Sequence, residues 1–387
     1  MSSQKIAPLS GFPEWTPEGR LVEQRIIDRL REKFEGYGFV PIETRSVEPL
    51  EHLLKQGETD KEIYLLSRLQ AAEGEGELGL GLHYDLTVPF ARYVKQHFSQ
   101  LTFPLKRYQI QKVWRGERPQ EGRYREFYQA DIDVIDQDAL SLEFDAEMPA
   151  IIAELWAELP IPPLRIRINN RKIMEGFYRA QGVEDVHAVL RIVDKMHKIG
   201  AAAVKQALIV DLRLSDSTAA RCLALAEIHA EDCGFAAAVE RLGARHPLLE
   251  EGIAELVAVM AALRELPRGT VMADMRIARG LDYYTGTVYE SELIGHESLG
   301  AVASGGRYDN LASIGTRIRL PGVGISIGLT RMLAKLLPAG VIRPSRATPT
   351  CVLVALPSAE HRLVARAVAR ALRSRGLPCE VFHEPVK

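Results

Sequence analysis

The spacing of hydrophobic positions divides the first 160 residues into helical and strand-like stretches. Apolar residues recur every three or four positions over 21–34, which predicts an amphipathic helix packed on a core. Residues 39–47 read as a strand, and a later Gly- and Glu-rich loop precedes a strand that enters a helix at Thr87 or Pro89. Strands predominate until a helical pattern returns over 138–159. The start of the chain therefore predicts strands with helices beside them.

Helical spacing dominates the middle of the chain. Residues 164–170 alternate like a further strand, but residues 171–263 are almost wholly helical in pattern. This block reads as an insertion of Ala-rich helices between two strand-rich regions. Strand character resumes at Val271, a Gly-rich turn is predicted at 303–311, and residues 322–337 predict a strand that runs into a helix.

The last part of the chain has its own pattern. The Pro- and Arg-containing stretch 338–350 is typical of a linker between domains. Residues 351–384 then predict a strand, a helix and a strand, the opening of a small α/β domain. Such a unit buries little apolar surface alone. We therefore expect either a truncated chain or a tail that packs on the rest of the protein.

Composition narrows the class of protein. A chain of 387 residues exceeds the usual size of one hydrophobic core, so two or more domains are expected. With 47% hydrophobic residues, 26% charged residues and a net charge of -2, the chain is neither a disordered polymer nor a uniformly basic nucleic-acid binder. Any polyanionic partner must therefore meet a local basic patch.

Cysteine and histidine usage gives no sign of a metal site. The four cysteines are scattered without a Cys-x-x-Cys pair, which argues against a disulfide framework and a structural zinc site. The histidines in helical stretches lack paired ligand spacing. The sequence shows neither a secretory leader nor an apolar run of membrane-spanning length. We expect a cytoplasmic protein without membrane contact.

The stretch 113–134 carries polar residues where a buried strand face is expected. One face of its second strand is apolar, whereas Phe127, Gln129 and Asp133 lie on the other. Buried polar side chains are costly without a partner, and a small polar ligand is the simplest one. An antiparallel hairpin would place beside them Arg115, Glu117, Arg118, Arg123 and Arg125. Such a set suits a phosphate, an exocyclic amine and a base. The alternative is a surface hairpin with solvated charges.

Other segments favour the ligand site. Arg279 stands just before the pair Tyr283 and Tyr284, and Tyr308 follows two glycines that let a backbone approach a ligand closely. A Gly-rich strand then leads into a helix whose first turns carry Arg331. This arrangement suits triphosphate binding, although the glycine spacing fits neither a Rossmann nor a P-loop fingerprint.

Taken in order, these segments resemble the class II aminoacyl-tRNA synthetases. "VWRGERPQEGRYREF" (113–127) is similar to their second motif and "GVGISIGLTRML" (322–333) to their third. "RGLDYYTGTVYE" (279–290) and "SGGRYDNL" (304–311) resemble the two signatures of the histidyl-tRNA synthetase family. The likeness runs from about Gly19 to the end of the chain.

The resemblance implies the fold and the domain organisation. The expected fold is α+β, a class II synthetase-type antiparallel sheet flanked by helices, with the helical insertion at about 171–263. A catalytic core would cover residues 1–340. Residues 346–387 would be the start of an anticodon-binding α/β domain, apparently truncated.

The resemblance also implies roles for single residues. At the ATP, Arg115 would hold the α-phosphate and the substrate carboxylate, Glu117 the adenine amine, Phe127 the adenine ring, and Arg123 with Arg331 the outer phosphates. At the histidine, the α-amino group would meet Asp85, Thr87 and Gln129, the two imidazole nitrogens would meet Asp133 and Tyr284, and the pocket would be lined by Tyr283 and Tyr308. Arg279 would be the catalytic arginine, with Arg115, and would also contact the histidine carboxylate.

The implied reaction activates histidine with ATP, giving histidyl-adenylate and pyrophosphate, and then transfers histidine to the 3′ end of tRNA(His). An ionised carboxylate that attacks phosphorus needs no general base, only alignment and cations that spread the developing charge. Mg²⁺ would accompany ATP, held by phosphates and one or two carboxylates, with no certain metal ligand in the sequence. A homodimer is implied, although Arg45 stands where the family's first motif usually has a proline.

Two alternatives stand beside a ligase. One is a non-catalytic regulatory subunit of ATP phosphoribosyltransferase in histidine biosynthesis, and the other is a module that senses uncharged tRNA. Neither needs in-line transfer at phosphorus. The presence of Arg115, Arg279 and Arg331 together therefore favours the ligase.

Overall fold

A computed structural model describes residues 7–54, 63–67, 79–120, 122–277, 283–313 and 318–386, without the side chains of residues 197 and 198. The chain divides into two compact units. One contains the residues up to Pro13 together with Ile27–Val341, and the other contains Glu14–Ile26 and the residues from Ile342 onward. The first unit holds the large sheet and the cavity described below.

The strands and helices of the described residues have the following bounds. The strands are β1 (Val40–Pro41), β2 (Val47–Pro49), β3 (Leu65–Leu66), β4 (Leu80–Leu82), β5 (Leu105–Trp114), β6 (Glu126–Ile135), β7 (Leu164–Asn170), β8 (His229–Ala230), β9 (Val271–Asp274), β10 (Thr287–Leu293), β11 (Ala303–Tyr308), β12 (Gly322–Gly328), β13 (Val352–Val354) and β14 (Cys379–Val381). The helices are α1 (Pro17–Gly36), α2 (Leu50–Leu53), α3 (Thr87–His97), α4 (Glu143–Glu158), α5 (Arg171–Ala180), α6 (Val186–Val193), α7 (Met196–Val210), α8 (Asp216–Ala226), α9 (Gly234–Glu240), α10 (Pro247–Ala262), α11 (Leu329–Leu336) and α12 (Arg362–Arg373).

A nine-stranded sheet is the centre of the larger unit. Its strand order is β1-β5-β6-β12-β11-β10-β7-β9-β8. β1 is parallel to β5 and β7 is parallel to β9, whereas the other neighbouring pairs are antiparallel. Helix α4 contacts β7 and β12. The predicted antiparallel sheet flanked by helices is therefore confirmed.

The two faces of β6 differ as its alternation predicts. Ala130, Ile132 and Val134 have no exposed surface and belong to the core. The opposite face of β6 carries polar residues and is directed towards α3. Helix α3 begins at Thr87, as expected, and packs Phe90 against a cluster that includes residues of β5, β6 and β11. Apolar residues therefore pack on both sides of the polar face, namely the core behind β6 and Phe90 of α3 in front of it.

The helical block between β7 and β9 contains α5 to α10. Polar side chains satisfy free N–H groups at several helix starts, namely Asn170 at α5, Asp185 at α6 and Ser215 at α8. Helix α10 packs on α5, where Gly176 lies against the backbone of Leu249. The predicted run of helices is confirmed, except that the short strand β8 interrupts it and pairs with β9.

Two predictions from the sequence need correction. The stretch 39–47 is not one strand, because β1 and β2 are separate and pair with different neighbours. The stretch 303–311 is not a turn, because Ala303–Tyr308 forms β11 inside the sheet. A Cβ at Gly305 would overlap the backbone carbonyl of Gly324 in β12. Glycine there permits close strand packing.

The smaller unit has a strand–helix–strand arrangement at its C-terminal end. β13 and β14 pair in parallel, as required by the intervening α12. Ala365 and Ala369 of α12 and Cys379 of β14 are buried. The predicted strand, helix and strand are confirmed. In the part of the chain that the structure describes, no helix has the length and apolar character to cross a membrane.

Candidate active site

A cavity of about 380 Å³ opens on the polar face of the sheet. Its wall is formed by residues from the start of α3, the β5–β6 hairpin, β10, β11, β12 and α11. Ten of the thirteen residues predicted for the site line it, namely Asp85, Thr87, Arg115, Glu117, Arg123, Phe127, Gln129, Tyr283, Tyr284 and Arg331. Of the other three, Asp133 and Tyr308 are buried beyond the lining, and Arg279 lies outside the described residues.

Three neighbouring strands form a polar ladder at one end of the cavity. On β6, the side chains of Gln129, Asp131 and Asp133 share one face. Their partners in register on β5 are Gln111, Gln109 and Arg107, and their partners on β12 are Gly328, Ser326 and Gly324. Polar side chains therefore meet small residues across the sheet, and the small residues leave room for the polar side chains.

Asp133 is held by two neighbours inside the protein. Arg107 Nη2 lies 2.6 Å from Asp133 Oδ2, and the Tyr308 hydroxyl donates to Asp133 Oδ1 at 2.8 Å. Arg107 is fully buried and its guanidinium lies 4.2 Å from the centre of the Phe90 ring. Burial raises the pKa of Asp133 to about 7, and the positive charge of Arg107 opposes that rise. Asp133 is thus preset in one orientation.

Glycines make room for this arrangement. A Cβ at Gly324 would overlap Asp133 Oδ1, and a Cβ at Gly322 would overlap the Tyr308 ring. A Cβ at Gly306 would lie 2.9 Å from Tyr284 Cδ1. The Gly-rich segments of β11 and β12 therefore let a carboxylate and two phenol rings lie flat against the sheet.

Three acceptor oxygens at this end have no hydrogen-bond donor among the described residues. They are Asp85 Oδ2, Gln129 Oε1 and Asp131 Oδ1, and each belongs to a buried residue of the cavity wall. The other oxygen of Asp85 accepts from the backbone N–H of Val88 at 3.1 Å. Burial raises the pKa of Asp85 and of Asp131 to about 6 each, while the positive charge of Arg115 lowers both. The wall is therefore rich in unsatisfied acceptors.

A cluster of tyrosines also lies at this end. The ring centroids of Tyr283 and Tyr284 are 4.8 Å apart, and those of Tyr283 and Tyr308 are 6.1 Å apart, both in edge contacts. Tyr283 lies next to both Thr87 and Tyr284. Burial raises the pKa of both tyrosines, so their phenols stay protonated at neutral pH.

Arginines and an aromatic ring form the other end of the cavity. Arg115 Nε donates to the Tyr84 carbonyl at 2.9 Å, and its guanidinium lies 5.1 Å from the centre of the Phe127 ring. Arg123 Nη1 lies 2.9 Å from Glu117 Oε2. Arg331 donates from Nε to the Gly122 carbonyl and from Nη1 to the Ala301 carbonyl, both at 2.6 Å. These contacts orient three guanidinium groups around one cavity.

Comparison with known proteins identifies the family. The sequence model described as "Histidyl-tRNA synthetase" matches residues 11–332. The chain belongs to the histidyl-tRNA synthetase family. The histidine–tRNA ligase of Thermobifida fusca is 56% identical, over all of this chain and 89% of that protein, and that of Cutibacterium acnes is 53% identical, over 97% of this chain and 84% of that protein.

Solved structures support the same family. The histidyl-tRNA synthetase of Nostoc sp. PCC 7120 superposes with a TM-score of 0.88 and 37% identity, over 99% of this chain and 87% of that one. An ATP phosphoribosyltransferase regulatory subunit/histidyl-tRNA synthetase from Bacillus halodurans C has a TM-score of 0.78 but 21% identity, over 97% of this chain and 92% of that one. That likeness shows the fold alone. The predictions of the family, of the histidyl-tRNA synthetase function, of the class II fold and of a ligase that forms aminoacyl-tRNA are confirmed.

Three residues of this family member's site were missed by the sequence reasoning. Asp131 stands at the same two-residue period as Gln129 and Asp133, so a signal for it was present. Arg107 lies at the same period on β5, but its position opposite Asp133 follows only from the strand register. Ser326 has no signal of its own. It accepts from Gln129 Nε2 at 2.6 Å and lies opposite Asp131 in register.

Proposed function

We propose that this chain activates histidine with ATP in the cavity, giving histidyl-adenylate and pyrophosphate, and then transfers histidine to the 3′ end of tRNA(His). The observation that carries the proposal is that one cavity joins an acceptor-lined end to an arginine-lined end. The first end suits an amino acid and the second suits a nucleotide. A carboxylate and an α-phosphate would meet where the two ends join.

In this proposal, the histidine side chain is recognised by Asp133 and Tyr284. A neutral imidazole presents one donor and one acceptor, which a carboxylate and a phenol can satisfy together. Arg107 keeps Asp133 in place, and Tyr283 and Tyr308, which contact each other edge to face, would enclose the ring. Another side chain would leave these buried polar groups unpaired, so discrimination of about 10⁴-fold is expected from such a pocket.

The histidine α-amino group would be bound by Asp85, Thr87 and Gln129. Asp85 and Gln129 each keep a buried oxygen without a donor among the described residues. An ammonium group supplies N–H donors and a positive charge, and therefore compensates both the missing hydrogen bonds and the negative charge.

The ATP would occupy the arginine-lined end. Arg115 would hold the α-phosphate and the substrate carboxylate, and Phe127 would stack on the adenine, whose amine would donate to Glu117. Arg123 and Arg331 would hold the outer phosphates. No general base is required, because the substrate carboxylate is already ionised at neutral pH. The arginines instead orient the reactants and stabilise the charge that develops on the phosphorus oxygens, with Arg279 as the proposed catalytic arginine.

Magnesium would enter with ATP. Among the described residues, no group of three or more His, Cys, Asp or Glu side chains could hold a metal ion by itself. Glu290 places one further carboxylate on the cavity wall. This fits a cation that is held mainly by phosphates and by one or two carboxylates. The ion would spread negative charge from the phosphates.

Two partners complete the proposal. Residues 346–387 would belong to an anticodon-binding domain for tRNA(His), and exposed arginines on α12, Arg366 and Arg370, supply positive charge there.

The chain would form a homodimer. Leu65, 66% exposed on the edge strand β3, is an apolar side chain that an interface would cover.

Pyrophosphate exchange with each of the twenty amino acids tests the function. We expect ATP–pyrophosphate exchange with histidine and none above background with the others. A chain that binds histidine but gives no exchange would instead support the regulatory alternative. Exchange with another amino acid would contradict the assigned pocket.

A further inference from the structure

Asp131 lies in the cavity wall and has no role in the proposal above. It is 2% exposed, it lines the cavity between Gln129 and Asp133 on β6, and its Oδ1 has no hydrogen-bond donor among the described residues. Its partner in register on β5, Gln109, donates elsewhere, to Thr44 Oγ1 at 2.9 Å and to Gln111 Oε1 at 2.7 Å. A donor on a bound ligand would satisfy this buried carboxylate oxygen.

Ser326 fixes the orientation of the Gln129 amide, which is next to Asp131 on the same face of β6. Ser326 lies opposite Asp131 in register, and Gln129 Nε2 donates to Ser326 Oγ at 2.6 Å. The serine oxygen therefore accepts from the NH₂ group of Gln129, which an amide oxygen could not supply. The Gln129 amide is therefore turned so that its Oε1, and not its NH₂ group, is left without a partner.

The number of buried oxygens without a donor equals the number of N–H donors on an ammonium group. Asp85 Oδ2, Gln129 Oε1 and Asp131 Oδ1 are three buried acceptors on one wall. Asp85 and Asp131 are close enough for the charge of one to affect the other. A protonated primary amine carries three N–H donors and no acceptor.

We propose that Asp131 binds the α-ammonium group of the amino-acid substrate, as the third acceptor beside Asp85 and Gln129. This inference rests on the proposed function, because it assigns a residue within the same histidine pocket. It makes a charged amine, and not only an imidazole, a requirement for tight binding. A ligand without the amine would leave these three oxygens without a donor.

Binding of three ligands to the Asp131→Asn variant tests this role. The ligands are histidine, histidinol, which keeps the amine and the imidazole, and 3-(imidazol-4-yl)propionate, which lacks the amine. At about pH 7.5 a free imidazole is mostly neutral. We expect the variant to bind histidine and histidinol about 10- to 100-fold more weakly than the wild type, because each loses a charged hydrogen bond. Its affinity for the propionate should stay within about threefold.

The outcomes separate this inference from the proposed function. Equal losses for all three ligands would overturn the role at the amine and assign Asp131 to the imidazole or to the fold. Unchanged binding of histidinol would also overturn it. A wild-type chain that fails to bind histidine would instead overturn the proposed function. An unchanged ATP affinity and an unchanged midpoint of thermal unfolding would show that the variant is folded. The matched control is Asp136→Asn, because Asp136 lies just beyond β6 and outside the cavity lining.

Discussion

Arg107 and Asp133 form a buried ion pair across the β5–β6 hairpin, with 2.6 Å between Nη2 and Oδ2. Arg107 is fully buried and Asp133 is 2% exposed. Because a buried carboxylate without a cation tends to take up a proton, the arginine is what favours the charged form of Asp133. The pair therefore links the stability of the sheet to the charge state of Asp133, the proposed partner of the imidazole.

Replacement of Arg107 by leucine should destabilise the protein. The change leaves a buried carboxylate without its cation, so we expect the free energy of unfolding to fall by about 3–5 kcal/mol. Chemical denaturation measures it. Lys106→Leu on the same strand is the matched control, because Lys106 pairs with Glu147 at 3.0 Å in a partly exposed position, where the loss should be about 1 kcal/mol or less. Similar losses for both variants would contradict a special role for Arg107.

Alanine at Gly324 should disturb histidine binding without affecting ATP. Its Cβ would overlap Asp133 Oδ1, so the carboxylate must move away from its present partners. In pyrophosphate exchange, we expect the KM for histidine to rise by about tenfold or more and the KM for ATP to change by less than about twofold. Gly36→Ala is the control, since a Cβ there meets no atom within 4 Å. An unchanged KM for histidine would show that Asp133 does not set the pocket.

The sequence predicted the parts of the site that depend on local periodicity. The face of β6 with Gln129 and Asp133 followed from alternation, and the start of α3 at Thr87 followed from its local signals. Arg107 could not be predicted as buried, because arginine is normally exposed and only the register of β5 on β6 places it opposite Asp133. Residues 303–311 were read as a turn because their glycines are typical of turns, whereas the true reason for Gly305 is the backbone of the neighbouring strand.

Asp133→Ala should separate the two substrates. Removal of the carboxylate takes away the proposed partner of the imidazole, so we expect histidine to bind about 100-fold more weakly. ATP should bind as in the wild type, because Asp133 is buried beyond the cavity lining and the arginine-lined end is formed by other residues. Calorimetric titration of each ligand measures both affinities. Equal losses for histidine and ATP would count against the assigned pocket.

Arg279→Ala should abolish exchange and spare the fold. Arg279 lies outside the described residues, and its role is proposed from the family motif that it belongs to. Loss of a cation that stabilises the transition state should lower kcat of histidine-dependent exchange by about 10²-fold or more, with little change in thermal unfolding. Arg268→Ala, at a side chain that is 97% exposed, is the control. Undiminished exchange would remove Arg279 from the mechanism.

The pH dependence of the free energy of unfolding should show that the charged form of Asp131 destabilises the fold. Burial raises the pKa of this carboxyl to about 6, above its value in the unfolded chain. Between these two values the folded state binds more protons than the unfolded state, so stability falls as the pH rises. The loss begins near the unfolded pKa of about 4 and is complete once the pH exceeds the folded pKa. Without ligand, the ionised Asp131 therefore destabilises the fold at neutral and higher pH.

Asp131→Asn should consequently stabilise the ligand-free protein at pH 8 and lose this advantage in acid. A shift of about two pKa units corresponds to about 3 kcal/mol of unfolding free energy, which sets the upper limit of the gain. The gain should shrink as the pH falls through 6 towards 4, where Asp131 is protonated in the folded protein. Denaturation of both proteins across this pH range measures the difference, and Asp28→Asn on the exposed face of α1 should show no such trend. A gain that is constant with pH would mean that asparagine stabilises the site through packing and not through the removed charge.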